Sequence, residues 1–163
     1  MIFKTADLSD ETEGEAQIVQ PGLRNYGGKT RFHGQIVTIK AFEDNSRVRE
    51  QVRSDGVGKV LVIDNEASMR CAMLGDMLAE AAIEHGWNGV VINGCIRDSA
   101  DIGAMDIGVK ALATNPLRSV KQDKGEVDVE IEFLGAVFRP GDHLYSDEDG
   151  ILLSGRSLLT QTD

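Results

Sequence analysis

Alternating apolar and polar positions predict three strands in this chain. Residues 34–42 (GQIVTIKAF) alternate well enough for a strand, and residues 127–133 (VDVEIEF) alternate strictly. Strict alternation is typical of an antiparallel strand with one face on the core and the other in water. Residues 151–154 (ILLS) follow the turn-like stretch SDEDG and are expected to form the last strand.

Continuous apolar runs and a helical repeat predict a βαβ unit in the middle of the chain. Residues 59–64 (KVLVID) and 89–93 (GVVIN) are short apolar runs typical of buried strands. Between them, apolar side chains recur at the spacing of one helical face, which Gly86 would end. The members of this face are Leu74, Met77, Leu78, Ala81, Ala82 and His85.

A further helix completes the predicted α/β arrangement. Residues 44–56 predict this helix, with Asp44 or Asn45 as its N-cap and Gly56 near its end. A chain of 163 residues has about the length of one domain. We therefore expect a mixed α/β fold with a central mixed sheet, formed by one domain that spans residues 1–163.

The βαβ unit also predicts where a ligand would bind. In open α/β sheets, ligands bind beyond the carboxyl ends of the parallel strands. The start of the crossover helix and the end of the strand at 89–93 both lie at that edge of the sheet. The stretches LGDML (74–78) and CIRD (95–98) should therefore face each other across one crevice.

The residues of this crevice suit an anion and a cation. The first turn of a helix leaves backbone N–H groups unpaired, so a helix that starts near Gly75 could bind a carboxylate or phosphate. The planar guanidinium of Arg97 could donate two hydrogen bonds to the same anion. Asp98 is a hard oxygen ligand that suits Mg²⁺ or Mn²⁺, and Asp76 could hold a water of that cation.

Structural explanations of the same residues stay open at this point. An Arg-Asp dipeptide after a strand is usually a solvated ion pair, and Asp76 in a first helical turn is expected from the helix dipole alone. A helix that begins at Ser68 would place Gly75 in its interior and remove the free amides. The residues alone do not decide between these interpretations.

Charge and composition exclude several classes of function. The chain has 27 acidic and 17 basic residues and a formal charge of −10, which repels phosphate backbones, so direct nucleic-acid binding is not expected. No apolar stretch approaches the roughly 18 residues of a membrane helix, and the acidic start lacks an export signal, so we expect a cytoplasmic protein without membrane contact. Cys71 and Cys95 belong to no metal motif and are expected to be reduced thiols. No Gly-x-Gly-x-x-Gly follows residues 59–64, so a nucleotide or adenosylmethionine site has no support.

Four stretches resemble a known family over nearly the whole chain. They are NYGGKTRFHGQIVTIKAFEDN, GKVLVIDNEASMRCAMLGDMLAE, GWNGVVINGCIRD and FRPGDHLYSDEDGILLS. The family comprises the regulators of ribonuclease E activity A (RraA-like proteins) and the class II 4-hydroxy-4-methyl-2-oxoglutarate aldolases. Its aldolase branch is marked by an aspartate, twenty intervening residues and then Arg-Asp, which Asp76, Arg97 and Asp98 reproduce.

The resemblance implies a fold, an assembly and a set of site residues. The fold is a single-domain swivelling β/β/α fold, and the assembly is a homotrimer. A divalent metal cation, Mg²⁺ or Mn²⁺, would be held by Asp98. A small 2-keto-acid substrate would be held by Arg97 and by the helix start at Gly75, Asp76, Met77 and Leu78, with Arg97 and Asp76 as the catalytic residues.

The resemblance also implies two different functions. One is the metal-dependent aldol cleavage of 4-hydroxy-4-methyl-2-oxoglutarate to two pyruvates, with a secondary oxaloacetate decarboxylase activity that passes through the same enolate. The alternative is a non-catalytic protein inhibitor that binds ribonuclease E and modulates RNA decay. The acidic surface of the chain suits the alternative, since it could mask a basic segment of that partner.

Overall fold

Residues 2–160 are described by the computed structural model. In chain order, the elements are α1 (Thr5–Thr12), β1 (Gln17–Ile18), β2 (Arg24–Asn25), β3 (Phe32–Lys40), α2 (Ser46–Gln51), β4 (Lys59–Asp64), β5 (Ala72–Leu74), α3 (Asp76–Glu84), β6 (Gly89–Ile96), α4 (Ser99–Gly103), β7 (Gly108–Thr114), β8 (Glu126–Val127), β9 (Ile131–Phe133), β10 (Ala136–Phe138), β11 (His143–Ser146) and β12 (Ile151–Ser154).

Four parallel strands form the centre of the sheet. They lie in the order β3-β4-β6-β7, and every residue of β6 is buried. Continuous apolar runs form such strands because both faces of a central parallel strand are covered. The predicted strands at 59–64 and 89–93 are thus confirmed, and the second is longer than predicted because it continues to Ile96.

Antiparallel strands extend the sheet on both sides and make it mixed. On one side β11, β12 and β1 follow β3, and on the other side β2 pairs with β7. This confirms the predicted single-domain α/β fold with a large mixed sheet.

The two faces of the sheet are covered differently. On one face, Leu61 and Ile92 pack in a core cluster with Val48 of α2 and Ala82 of α3. On the other face, strands such as β4 pack through Val60 and Val62 against the antiparallel pair β9–β10. The layers therefore run β/β/α, and α2 and α3 lie on one side of the sheet.

The prediction of one continuous strand at 127–133 was wrong. Two short strands occupy the segment: β8 pairs with β3, whereas β9 pairs with β10. Asp128, between them, has a left-handed backbone with φ of 59°, and this conformation breaks an extended strand. Alternating side chains cannot reveal such a break, because the pattern continues on both sides of it.

The helix predicted at 44–56 is shorter than expected. α2 spans Ser46–Gln51, and Asn45 holds the N-cap position without capping through its side chain. The neighbouring Asp44 carboxylate instead accepts a hydrogen bond from the Ser46 amide at 2.8 Å. Within residues 2–160, no helix is long and apolar enough to cross a membrane.

The apolar face predicted for α3 was partly wrong. Met77 is 73% exposed, and Leu74 lies in β5 rather than in the helix, while Ala79 is fully buried. His85 is the C-cap residue, as expected for the end of the helix. The thiols of Cys71 and Cys95 are free and buried.

Candidate active site

A strand that was not predicted brings the two halves of the crevice together. β4 pairs with β6 only as far as Asn93, and β5 then pairs with the remainder of β6. The Arg97 amide donates to the Leu74 carbonyl at 2.9 Å, which fixes the end of β6 beside the end of β5. Gly75 and Arg97 are therefore neighbours, although 21 residues separate them in the chain.

The helix begins where the predicted anion site requires, at Gly75. Gly75 is the N-cap of α3 and Asp76 its first residue, which excludes a continuous helix from Ser68. The Asp76 amide donates to Asp98 Oδ2 at 2.9 Å, and the Met77 amide donates to Asp76 Oδ1 at 2.8 Å. Within residues 2–160, the Leu78 amide has no protein acceptor. A carboxylate thus already occupies part of the site where the N–H groups converge.

The backbone of Asp98 directs its carboxylate at α3. Asp98 has φ of 56° and ψ of 39°, a left-handed conformation that aspartate tolerates better than most residues. It stands at the N-cap of α4 but makes no capping hydrogen bond there. A Cβ atom on Gly75 would lie 2.8 Å from Asp98 Oδ2, closer than such atoms normally approach. Glycine is therefore needed at position 75 for the carboxylate to approach the helix.

Arg97 and Asp98 do not form a salt bridge with each other. Within residues 2–160, Arg97 takes part in no salt bridge at all, and its Nη1 donates only to the Pro116 carbonyl at 3.4 Å. The side chain is half-buried. A solvated Arg-Asp pair, one of the structural explanations, does not describe this geometry.

The predicted residues line one cleft of about 300 Å³. That volume is at the lower end of the range for small-molecule sites. All six predicted site residues contribute to its lining: Gly75, Asp76, Met77, Leu78, Arg97 and Asp98.

A comparison with known proteins identifies the family. Residues 5–153 match the family described as RraA-like: Aldolase/RraA. The chain belongs to the RraA-like family. It is 54% identical to a protein of Dechloromonas aromatica over 97% of this chain and 99% of that protein, and 53% identical to one of Laribacter hongkongensis over 98% and 100%. Both carry the name 4-hydroxy-4-methyl-2-oxoglutarate aldolase by provisional assignment.

Solved structures of RraA-like relatives have the same fold and different names. A structure from Geobacillus kaustophilus, described as S-adenosylmethionine:2-dimethylmenaquinone methyltransferase, has a TM-score of 0.95 and 47% identity, covering 99% of this chain and 100% of that one. The RNA-processing inhibitor RraA from Thermus thermophilis has a TM-score of 0.94 and 40% identity, covering 100% and 99%. The names cover three different activities, so the names alone do not identify the chemistry of this RraA-like chain.

Four basic residues of the cleft were missed by the sequence analysis. Arg49 belongs to α2 and Arg53 follows it, while Arg118 and Lys121 lie in the segment after β7. The only signals in the sequence were the spacings: Arg49 and Arg53 are four residues apart, and Arg118 and Lys121 are three residues apart. Nothing in those spacings shows that the two segments meet, because the contact is tertiary: the Asn45 amide donates to the Val120 carbonyl at 3.3 Å.

The carboxylates of the cleft fit one kind of metal site. Within residues 2–160, no group of three or more His, Cys, Asp or Glu side chains could enclose a metal ion. Asp98 is exposed, and only its Oδ2 accepts a hydrogen bond from a described residue. One free carboxylate oxygen suits a cation such as Mg²⁺, which takes one or two protein ligands and keeps several waters.

Proposed function

We propose that this RraA-like protein cleaves 4-hydroxy-4-methyl-2-oxoglutarate to two pyruvates. The observation that carries the proposal is the contact between the Asp98 carboxylate and the amide of Asp76, beside Arg97. The proposal is supported by the cleft that a candidate cation ligand and a candidate anion-binding helix start line together. The names of relatives that are 54% and 53% identical support the choice of substrate.

The helix start and Arg97 bind and orient the keto acid. The substrate carboxylate accepts from the Leu78 amide, which has no protein acceptor within residues 2–160, because the partial positive charge of the helix N-terminus favours an anion. Arg97 donates from the side to the same carboxylate and to the adjacent 2-keto oxygen. Within residues 2–160, Arg97 forms no salt bridge and donates one long hydrogen bond to the Pro116 carbonyl, so its guanidinium can make this contact.

Asp98 would hold a divalent cation, Mg²⁺ or Mn²⁺, and this cation would supply Lewis-acid polarisation of the 2-keto oxygen. The second carboxylate oxygen of Asp98 has no hydrogen-bond partner among the described residues, so it is available to the cation. A hydrated cation with one protein ligand binds weakly, so we expect the metal to exchange readily with chelators.

The cleavage itself needs a proton acceptor and a place for negative charge. A water held by the Asp76 carboxylate relays the proton of the C4 hydroxyl to that carboxylate. The C3–C4 bond breaks, C4 becomes the carbonyl carbon of one pyruvate, and the electron pair forms the C2–C3 enolate. Arg97 stabilises the charge on that enolate. The proton then returns from the Asp76 carboxyl through the water to C3, which yields the second pyruvate.

Oxaloacetate should be a second substrate of the same site. Loss of carbon dioxide from oxaloacetate leaves the same pyruvate enolate, so the groups that stabilise it are already in place. The decarboxylation needs no acceptor for a C4 hydroxyl proton. Removal of the Asp76 carboxylate should therefore impair aldol cleavage more than decarboxylation.

Pyruvate release in the presence of Mg²⁺ tests the proposal. The wild-type protein should release two pyruvates per 4-hydroxy-4-methyl-2-oxoglutarate, and Asp98→Asn should lower kcat/KM by about 100-fold or more. Asp106→Asn is the matched control, because Asp106 is exposed and lies outside the cleft lining. Wild-type release no faster than the reaction without enzyme would refute the proposal.

A Schiff-base route is the chemical competitor, since Lys121 lines the cleft. Lys121 is exposed, and four arginines line the same cleft. Borohydride added with pyruvate should leave the activity intact. Inactivation, with a mass increase located at Lys121, would replace the metal route by a covalent one.

Inhibition of ribonuclease E is a second candidate function. It is favoured by the 40% identity to a Thermus relative described as an RNA-processing inhibitor, and by the charge of −10. Titration of ribonuclease E cleavage with wild type and Asp98→Asn separates the two functions. Equal inhibition by both proteins would show that inhibition does not use the aldolase chemistry.

The family resemblance also leads us to propose a homotrimer in the cytoplasm. Light scattering at micromolar concentration should give the mass of three chains of 17.7 kDa. A monomer would contradict the assembly and would limit the catalytic groups to those of one chain.

A further inference from the structure

A second pocket lies at the end of the sheet opposite to the cleft, and its volume is about 230 Å³. It adjoins the starts of two parallel strands, because Phe32 begins β3 and Asn88 directly precedes β6, whereas the cleft lies beyond the carboxyl end of β6. We call it the amino-end pocket, and it is lined by Phe3, Lys29, Arg31, Phe32, His33 and Asn88. None of these residues lines the cleft.

Basic side chains dominate the lining of the amino-end pocket. Lys29, Arg31 and His33 are three of its six residues, and no aspartate or glutamate is among them. In residues 2–160, Lys29 takes part in no salt bridge, and neither ring nitrogen of His33 makes a hydrogen bond. Arg31 pairs with Glu148 through Nη2 at 3.2 Å, but its Nε is buried and has no acceptor in the same part of the chain. A buried N–H donor without an acceptor is unfavourable, and an anion in the pocket would relieve it.

Two adjacent glycines fix the backbone of Lys29 at the pocket. The amides of Gly28 and Lys29 donate to the carbonyls of Met105 and Ile107 at 3.0 and 3.2 Å. A Cβ atom on Gly27 would overlap the carbonyl oxygen of Ile107, and one on Gly28 would overlap that of Met105. Both positions therefore require glycine for the chain to lie against the segment before β7.

The ring of His33 is held by two other aromatic side chains. The Tyr145 ring lies nearly parallel to it at a centroid distance of 5.9 Å, and the Phe3 ring meets it edge-on at 5.6 Å. Burial lowers the pKa of His33, and the positive charges around it, those of His143 and Lys29 included, lower that pKa further. The amino-end pocket is thus a positive environment with a ring nitrogen donor already in place.

We propose that the amino-end pocket binds a phosphate dianion, either the free ion or the phosphoryl group of a small ester. A tetrahedral dianion accepts from several directions at once, here from Lys29 Nζ, Arg31 Nε and a ring N–H of His33. Hydrogen bonds between charged partners are about twice as strong as neutral ones. The pocket volume of about 230 Å³ lies below the usual range for small-molecule sites, which favours an ion or a small ester. The proposal does not depend on the aldolase function.

Proton NMR of the imidazole rings tests the proposal. The chain has three histidines, so the spectrum is simple, and His33→Gln identifies the signal of His33. Inorganic phosphate added at neutral pH and constant ionic strength should shift this signal saturably, whereas the signal of His85, at the end of α3, should stay in place. Acetate at the same ionic strength should have no effect. Because the protonated ring donates to the dianion, saturation with phosphate should also raise the pKa of His33.

A parallel titration with glycerol 3-phosphate distinguishes the two forms of the ligand. An equal response to both compounds would support the phosphoryl group of an ester. A response to inorganic phosphate alone would support the free ion.

Variants of the two permanent cations should weaken phosphate binding. Lys29→Gln and Arg31→Gln should each raise the half-saturation concentration by about 10-fold or more, because each removes a charged donor. Arg118→Gln is the matched control, since Arg118 lines the cleft at the other end of the sheet. Arg31→Gln also removes the pair with Glu148. If that variant does not fold, Lys29→Gln alone decides.

The possible results separate this site from the cleft. The site would be overturned by the absence of a saturable His33 shift, by the same shift with acetate, or by an equal loss of binding in Arg118→Gln. A response that survives Lys29→Gln, or a change in that variant's mass by light scattering without an effect on the titration, would also overturn it. Phosphate binding in a protein that releases no pyruvate would support the site and refute the aldolase.

Discussion

Replacement of Gly75 by alanine tests the central contact of the candidate site. The new Cβ would lie 2.8 Å from Asp98 Oδ2 and 3.4 Å from Arg97 Nε. The first distance is too short, so the Asp98 carboxylate must rotate away and give up its hydrogen bond from the Asp76 amide. A displacement of about 1 Å in a catalytic group can cost on the order of 100-fold in rate. We therefore expect kcat/KM for pyruvate release to fall by about 10- to 100-fold, or about 1.4–2.7 kcal/mol.

The same replacement should change stability far less than activity. Alanine is a poorer N-cap than glycine, and the lost hydrogen bond involves an exposed carboxylate, so the two effects together cost about 1 kcal/mol. For a chain of this length, that lowers Tm by about 2–4 °C. Calorimetry and the pyruvate assay measure the two quantities on the same sample.

A second glycine provides the control. Gly103 ends α4, and a Cβ atom there would have one ordinary contact, 3.6 Å from the Tyr26 carbonyl oxygen. Gly103→Ala should leave kcat/KM within twofold. Full activity in Gly75→Ala, or an equal loss in Gly103→Ala, would show that the approach of Asp98 to α3 has no special part in catalysis.

Three further predictions concern the metal, the guanidinium and the pH. EDTA should abolish pyruvate release and Mg²⁺ or Mn²⁺ should restore it; full activity in chelator would exclude the role given to Asp98. Arg97→Lys keeps the charge but loses the planar guanidinium that can donate two hydrogen bonds to one carboxylate, so kcat/KM should fall by about 10-fold or more with little change in Tm. Unfolding of this variant would show instead that the role of Arg97 is structural. Burial raises the pKa of the Asp44 carboxyl, but hydrogen bonds from Ser46, Gln122 and Lys124 outweigh it and hold that pKa below its usual value. Asp44 therefore stabilises the fold above about pH 4, and this contribution is lost as the pH falls through the lowered pKa. Urea unfolding of Asp44→Asn should show reduced stability at pH 7 and a weaker loss towards pH 3.5 than wild type, and identical slopes for the two proteins would contradict this assignment.

The parallel centre of the sheet could be predicted because its signals are local. The runs at 59–64 and 89–93 are buried on both faces, so their composition alone identifies them. β5 could not be predicted in the same way. It has three residues, and it is a strand only because β6 extends past the end of β4 and offers a free edge. Pairing of this kind depends on the relative lengths of two distant segments.

Six residues of the cleft could be predicted from the sequence, whereas its four other basic residues and its contacts could not. The geometry of the βαβ unit predicted Asp76, Arg97 and Asp98 at one edge of the sheet, and they line one cleft. The left-handed backbone of Asp98 was not foreseeable, because aspartate adopts it only where the surrounding chain demands it. Whether these residues perform the proposed chemistry stays a prediction.

Because β5 pairs with the end of β6, the geometry of the cleft does not depend on the length of the preceding loop. Gly75 is positioned by Leu74 and Arg97, not by the path that the chain takes after Asp64. Glu66 and Ala67, within that path, are exposed and both left-handed, with φ of 52° and 60°. On the far side of this turn, the Glu43 carboxylate holds Ser68 and Arg70. The amides of Glu66 and Ala67 donate to Asp64 Oδ1 and to the Asn93 carbonyl at 2.9 and 3.1 Å. An insertion between these two residues should therefore disturb the turn but leave the pairing of β5 with β6 in place.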